Sequence, residues 1–488
     1  MPFLPFFEYG LRWPEPGAET ALLAGFALLA VLTLLYALPE RKPALLVAGL
    51  VHAAGGLIAL TATDLIVLLL AWELTTFSAF FILAQTGRAD TMRAGVRYIV
   101  THMSSAVLFF VGAAIHWNAT GSLAVAPGAS VAQPFFLAAI LIKTAMMPLH
   151  VWLVDAYPRA SYAGSVLFSV YTTKIGIFTA ARVVRVSLFG QPILALIGAT
   201  VALAAVIGAL RQRHARRLLS WHIVSQLGFM LAGVGLVATG SDTAGLGTEA
   251  GLFHAVNNIV YKTLLLMVAG VAGRQFGHDD LLRMGGAARK MPVTFAVGAI
   301  AAAAIVGVPP FSGYASKELL KQAADSAPIV WLLVLASVGT ALSFLKFISL
   351  IFLKTPAPAD KRPLADPGFF QLAPMLILAT LCVVLGLKPD WIVSGFDGRY
   401  YTATGLAFGL IPVGVAGAIW FVWRRRLVGE KSESMPDHPA RWIEKAGGRL
   451  ASGLPRLRLW HARHPQTVFS AVILFWIGLA LWLGLASV

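Results

Sequence analysis

Residues 141–153 read LIKTAMMPLHVWL, and residues 133–140 before them read QPFFLAAI. Lys143 therefore stands near the middle of an apolar run, and Pro148 follows it within the same run. A charge at mid-membrane depth costs about 3 kcal/mol, and a proline there removes a backbone hydrogen bond. Backbone that leaves the helix at that depth must line a hydrated cavity or be buried in protein. The stretch reads as a membrane helix broken for a purpose.

The rest of the chain agrees. Its 488 residues are 58% hydrophobic and only 12% charged, with a mean hydropathy of +0.78. A soluble domain carries about 25% charged residues, so the fold class is an all-α polytopic membrane protein. Apolar stretches of about 20 residues give some fourteen transmembrane helices. They lie near 18–38, 43–62, 64–86, 95–116, 133–154, 162–185, 191–210, 217–239, 250–272, 291–323 (interrupted), 328–353, 368–387, 402–423 and 466–486. With the N-terminus outside, 27 of the 38 Lys and Arg fall in cytoplasmic loops, six in outer loops and five within spans. This positive-inside bias predicts both termini on the outer side of a bacterial cell (inner) membrane. It also accounts for the net charge of +16 without nucleic acid. The segment 424–465, with WRRRL and LPRLRLWHARH, is expected to be a basic cytoplasmic linker. Part of it is expected to form an amphipathic helix against lipid or a neighbouring subunit.

Several chemistries are excluded. The lone cysteine, Cys382, is too few for an iron–sulfur cluster or a cysteine-ligated zinc. The eleven histidines form no HExxH or CxxCH pattern, so neither metal nor redox cofactor is expected. The first twenty residues have no basic stretch leading into an apolar one and do not read as a signal peptide.

What remains are ionisable residues where lipid should forbid them. Glu73 sits in DLIVLLLAWELTTFSAFFIL, Lys174 in SVLFSVYTTKIGIFTA and Lys262 in GLFHAVNNIVYKTLLLMVAG. Lys317 and Glu318 follow VGVPPFSGYAS, and Lys346 lies in TALSFLKFISLIFL. Snorkelling or a lone structural ion pair explains any one of these, Lys346 and Lys317 most readily. Glu73, Lys143 and Lys174 have about ten apolar residues on each side and cannot snorkel. Burial disfavours the charged form of such groups, and a nearby opposite charge restores it. A lysine facing a glutamate therefore binds or releases a proton when its partner moves or is neutralised. His254 and Lys262, eight residues apart, share one face of a helix. Alone, His254 reads as a satisfied interior histidine; beside Lys262 it reads as part of a relay. A second break, at Pro309, Pro310 and Gly313, repeats the device of Pro148 with Lys317 beside it. Paired interrupted spans point to an inverted-repeat transporter.

At these residues the chain resembles the antiporter-like subunits of respiratory complex I, membrane-bound hydrogenases and Mrp-type cation/proton antiporters. The matching stretches are TDLIVLLLAWEL, IKTAMMPLHVWLVDAYPRA, TTKIGIF, LLSWHIVSQLGFMLAGVG, FHAVNNIVYKTLLLMVAG and GVPPFSGYASKELL, in family order. The resemblance implies two inverted five-helix repeats, each with a broken helix and a half-channel, joined by a hydrophilic axis. It makes Glu73 the carboxylate partner of Lys143, Lys174 the bridging lysine, His254 with Lys262 the central axis, and Lys317 the terminal lysine. Glu318, Lys346 and Asn258 are secondary candidates; Asn258 stands where many relatives carry a second histidine. Lysine at both 174 and 317 resembles the Mrp D-type subunit most, and one complex I subunit too. Glu73 comes two helices early for the family, which implies that the first two spans are missing. Val154, and SYAG at 161–164, replace proline-containing family segments.

The expected organisation is an N-terminal segment with the first helix (1–42), a first half-channel repeat (43–190) and a second, inverted repeat (191–355). Additional helices (356–423), the basic linker (424–465) and a final helix (466–488) follow. The expected function is that of a proton-translocating subunit of a Mrp-like Na+/H+ antiporter, working with other membrane subunits. The alternatives are the equivalent subunit of a quinone-reducing or hydrogen-evolving complex, and a coupling subunit for inorganic carbon uptake with a zinc-bearing partner. A self-sufficient transporter of an organic solute lacks an evident substrate pocket.

Overall fold

The computed structural model of the chain describes residues 17–128, 130–185, 192–236, 244–324, 326–355, 363–393 and 401–428. The linker expected at 424–465 lies outside these residues from 429 onward, and the last span lies wholly outside them. The helices follow in order as α1 (Ala18–Ala37), α2 (Pro43–Thr61), α3 (Leu65–Ala84), α4 (Ala89–Thr120), α5 (Gln133–Lys143), α6 (Val151–Ala156), α7 (Tyr162–Ser169) and α8 (Thr172–Val183). Then come α9 (Ile193–Leu210), α10 (Ala215–Gly235), α11 (Ala244–Phe276), α12 (Pro292–Val306), α13 (Ser312–Ala323), α14 (Ala327–Ile348), α15 (Phe369–Leu387) and α16 (Ala403–Val428). Among the described residues eleven helical stretches are long and apolar enough to cross a membrane. Two further crossings are built from shorter pieces, α5 with α6 and α12 with α13. Of the fourteen expected spans, all but the last are therefore in place.

The order repeats. Five crossings (α2, α3, α4, α5 with α6, α7 with α8) precede five more (α9, α10, α11, α12 with α13, α14), and the fourth of each set is broken. Five is an odd number, so the second set starts from the opposite face, as an inverted repeat requires.

Both breaks follow from local chemistry. After Lys143 the chain turns through Ala145 in a left-handed conformation (φ 54°) and resumes as helix only at Val151. The carbonyl of Ile142 accepts from the Ala145 N–H at 3.0 Å within this turn and from the indole of Trp152 at 3.1 Å. In the second break Gly307 takes φ 89°, a conformation that glycine adopts without strain. Pro309 and Pro310 follow with no N–H to donate, and helix resumes at Ser312. Gly313 packs its Cα against the carbonyl of Ala304, where a side chain has no room. A third break falls at Val170 and Tyr171, between α7 and α8, inside a span expected to be continuous.

The loops fall into two sets tied by hydrogen bonds. On one face Glu40 accepts from the Ser161 hydroxyl and the Ala163 N–H, both at 2.9 Å, and Arg274 reaches it at 3.3 Å. Asp155 on the same face joins Arg97, at 2.9 Å, to Arg159. On the other face Val125 N–H donates to Thr63 at 2.7 Å, Gly128 N–H to Val183 at 3.0 Å, and Arg182 to Ala62 at 3.1 Å. The first set is the one the charge bias assigns to the cytoplasm. Between the faces α10 and α11 are enclosed on all sides by protein. Outer helices turn Val31, Val47, Leu50, Leu70, Val100 and Trp331 outward, as helices bordered by lipid or another subunit do.

Arg216 adds a buried tie on the first of these faces. Its guanidinium donates to Asp279 at 2.9 and 3.1 Å, to the Ala160 carbonyl at 2.7 Å and to Ser165 at 2.9 Å. Arg216→Met leaves the buried Asp279 carboxylate without its main partner. The expected loss is about 3–5 kcal/mol, read as a lower thermal unfolding temperature in detergent.

Candidate functional site

The site begins at the C-terminus of α5. Lys143, its last residue, is fully buried. The ammonium donates to the Trp72 carbonyl at 3.3 Å and the Thr76 hydroxyl at 3.2 Å, and lies 4.9 Å from the Trp72 ring centre. Glu73 occupies the same turn of α3. Its carboxylate is buried with no hydrogen-bond partner, within electrostatic reach of Lys143 though not in direct contact. The pair thus meets through the backbone and hydroxyl of one helical turn rather than through a closed ion pair.

From Lys143 the line passes to α8. Gly176 packs there against the Lys143 stem, and a Cβ added to it would come within 3.3 Å of Lys143 Cγ. Two residues earlier, Lys174 donates to the Ser169 carbonyl at 3.0 Å, a group exposed by the break between α7 and α8. Lys262 on α11 feels the charge of Lys174 across the boundary between the repeats, and its buried ammonium has no hydrogen-bond partner.

The far end is the second break. Lys317 on α13 donates to the carbonyls of Ile305 at 2.8 Å and Val306 at 3.1 Å, both freed at the end of α12. It lies 5.0 Å from the Phe229 ring centre. Next to it Ser316 bonds His254 Nδ1 at 2.9 Å, while His254 Nε2 meets Gln226 Oε1 at 3.1 Å. Tyr261 also donates to Gln226 Oε1, at 3.1 Å, and Asn258 donates to Tyr261 at 3.3 Å. His254 is therefore satisfied at both nitrogens and couples to Lys317 rather than to Lys262. Glu318 pairs with Lys321 at 2.5 Å. Lys346 stands apart from the line: it donates to the carbonyls of Leu210 and Gln212, both at 2.9 Å, closing the end of α9.

Residues 62–343, more than half of the chain, match the family described as NADH:quinone oxidoreductase/Mrp antiporter, TM. The chain belongs to this family. Every residue of the buried line, from Glu73 to Lys317, falls within the matched segment. Hydrogenase-4 component B of Escherichia coli (strain K12) is 28% identical over 382 residues, covering 71% of this chain and 56% of that protein. The Na(+)/H(+) antiporter subunit A1 of Staphylococcus haemolyticus is 28% identical over 369 residues, covering 68% and 46%. The chain thus spans about half the length of these curated relatives. A chain in the structure of the Mrp complex from Dietzia sp. DQ12-45-1b has the same fold, with a TM-score of 0.70 at 24% identity over 84% of this chain and 85% of that one.

The family member also holds buried histidines that the sequence did not single out. His52 on α2 bonds Ser78 at 2.9 Å and the Thr75 carbonyl at 3.0 Å through Nδ1, and lies 3.5 Å from the Thr172 hydroxyl through Nε2. His102 on α4 is packed between Tyr98 and Trp152, with ring centres 4.2 and 4.4 Å away. Both lie within electrostatic reach of Lys143. On α10, His222 is fully buried with neither ring nitrogen bonded. The available signal was the one used for lysine, a titratable residue inside a span. Among the described residues, no group of three or more His, Cys, Asp or Glu side chains is placed to hold a metal ion.

Proposed function

We propose that this chain is the proton-translocating subunit of a multi-subunit Mrp-like Na+/H+ antiporter in a bacterial cell membrane, with both termini outside. The observation that carries the reading is the burial of six ionisable groups, Glu73, Lys143, Lys174, Lys262, His254 and Lys317, within the membrane-spanning helices of the two sets. Three of these lysines bond backbone carbonyls, at Trp72, at Ser169 and at Ile305 with Val306. Such an ammonium is held weakly enough to respond when a neighbouring charge changes. A proton taken up by Glu73 removes the negative charge that faces Lys143. The Lys143 proton then moves on toward Lys174, the charge on Lys174 acts on Lys262, and the disturbance ends at Lys317 beside the second break. The groups titrate as a coupled set, not as independent sites. Asn258, through Tyr261, and Glu318, through Lys321, tune this path from its edge.

The antiporter subunit among the relatives supports the cation-exchange reading, with Na+ supplied through partner subunits. The hydrogenase component favours a second reading, the same proton pump driven by a redox complex whose cofactors belong to other chains. Purifying the tagged chain with its native partners separates them. The antiporter reading expects small hydrophobic subunits alone, and vesicles in which a Na+ gradient drives proton movement. Iron–sulfur subunits in the complex support the redox reading, and a soluble zinc protein supports carbon uptake.

A further inference from the structure

Lys174 owes its place to the break between α7 and α8, because the Ser169 carbonyl that accepts its ammonium at 3.0 Å is exposed there. Contacts from neighbouring helices fix that break. The Tyr171 hydroxyl donates to the Phe26 carbonyl of α1 at 3.2 Å. The Tyr171 ring lies on α2 at Gly56, where a side chain has no room. One turn earlier on the same face of α2 stands His52. Its ring meets Tyr171 edge-on, with centres 5.4 Å apart, and faces Phe168, on the other side of the break, at 6.3 Å.

Both nitrogens of this buried imidazole have partners, and the partners lie on different helices. Nδ1 bonds the Thr75 carbonyl at 3.0 Å and the Ser78 hydroxyl at 2.9 Å, both on α3. Thr75 lies between Glu73 and Thr76, and the Thr76 hydroxyl accepts from Lys143 at 3.2 Å. Nε2 meets the hydroxyl of Thr172, the first residue of α8, at 3.5 Å. The Tyr98 hydroxyl of α4 backs the same Thr172 group, also at 3.5 Å. At Gly55 α2 touches the backbone of α3: an added Cβ would stand 3.2 Å from the Ala71 carbonyl oxygen and from Thr75 N. His52 and that turn of α3 therefore move together. One side chain thus joins the turn that holds Glu73 and Lys143 to the break that holds Lys174.

We propose that His52 is a positioning residue for the relay: acting through Thr172, it fixes the α7–α8 break and with it the distance from the Lys143 site to Lys174. It carries no proton itself. The interaction between two charges falls as they separate. A break held in one place lets Lys174 register each change at Glu73 and Lys143, and a slack one blunts the signal. The inference rests on the relay reading above.

The test measures proton flux per assembled complex, reconstituted in vesicles, for His52→Leu, Thr172→Val, the two combined, Thr172→Ser, Thr179→Val and Lys143→Ala. His52→Leu leaves no acceptor bare on α3, because the Thr75 carbonyl still accepts from Ser78 at 3.1 Å. Thr172→Val keeps the shape and removes the hydroxyl, whereas Thr172→Ser keeps the hydroxyl. Thr179, also buried on α8, donates within its own helix to the Ile175 carbonyl at 2.9 Å and is the control. His52→Leu and Thr172→Val are each expected to lose flux by about a hundredfold, the scale on which a misplacement of about 1 Å acts. The combined variant is expected to lose no more, because both changes cut one contact. Thr172→Ser and Thr179→Val are expected to keep their flux. Wild-type flux in His52→Leu or Thr172→Val, with Lys143→Ala inactive, overturns the inference and leaves the relay standing. So does a loss in Thr172→Ser equal to that in Thr172→Val, or losses that multiply in the combined variant. Flux in Lys143→Ala overturns the relay and the inference with it. Should Thr172→Val fail to accumulate, Thr172→Val with Tyr98→Phe takes its place, since it removes both hydroxyls together. Failure of that chain and of His52→Leu to accumulate makes the contact structural and overturns the inference too.

Discussion

Lys143→Ala is expected to abolish proton flux through the reconstituted complex while the chain still inserts and assembles. The two halves of this expectation have separate physical grounds. Assembly survives because the groups that hold the ammonium are not orphaned by its loss. The Trp72 carbonyl still accepts from the hydroxyls of Thr75 at 2.7 Å and Thr76 at 2.9 Å, so no buried acceptor is left bare. Removing a fully buried cation also removes its desolvation penalty, which offsets part of the cavity left behind. Lys143→Met fills that cavity and is expected to fold at least as well. Flux fails because Glu73 loses the lysine placed against its turn, so protonating it no longer changes the charge felt at Lys174. Normal flux in both variants, measured by a pH-sensitive dye in vesicles, would falsify the relay.

Much of this was legible in the residues, for reasons that differ by residue. The two main breaks announce themselves because proline and glycine cannot hide in a helix, and buried lysines because lipid makes them conspicuous. The break at Val170 and Tyr171 carries neither signal. No proline or glycine marks it, and Lys174 bridges it by a side-chain bond back to the Ser169 carbonyl. The histidines were hard to read because a neutral imidazole is far cheaper to bury than an ammonium, so its presence in a span raises less alarm. Lys346 was opaque in another way: its bonds go to Leu210 and Gln212, on a helix end remote in sequence, and local pattern says nothing of such pairs. His254 gained and lost by the same rule. Its spacing from Lys262 is helical, as expected, but its bonds run across to Gln226 and Ser316.

The other large effect concerns what holds the line in position. Gly228→Leu is expected to remove most folded protein from the membrane. On α9 and α10, Gly198 and Gly228 let two backbones touch. A Cβ on Gly228 would stand 2.5 Å from the Gly198 carbonyl oxygen, and one on Gly198 would stand 2.5 Å from Ala232 N. Close approach through small residues is the main attraction between helices in lipid, where burial of apolar surface gives little. Overpacking a core costs about 1–3 kcal/mol when side chains can shift. Here the obstacle is backbone, and α10 is enclosed by protein with nowhere to retreat. The helices must separate, and with them goes the bond from Ser225 to the Ala202 carbonyl at 2.8 Å. Gln226, which orders His254 and Tyr261, and His222 ride on the same helix. Gly414, with nothing within 4 Å of an added Cβ, is the control, and Gly414→Ala is expected to accumulate normally. Quantifying monodisperse protein after mild extraction checks both. A Gly228→Leu chain recovered at wild-type yield and transporting normally would show that the α9–α10 contact does not set the relay. The contrast with Lys143→Ala is the point of doing both: one variant keeps the protein and loses the proton path, the other loses the scaffold that makes a path possible.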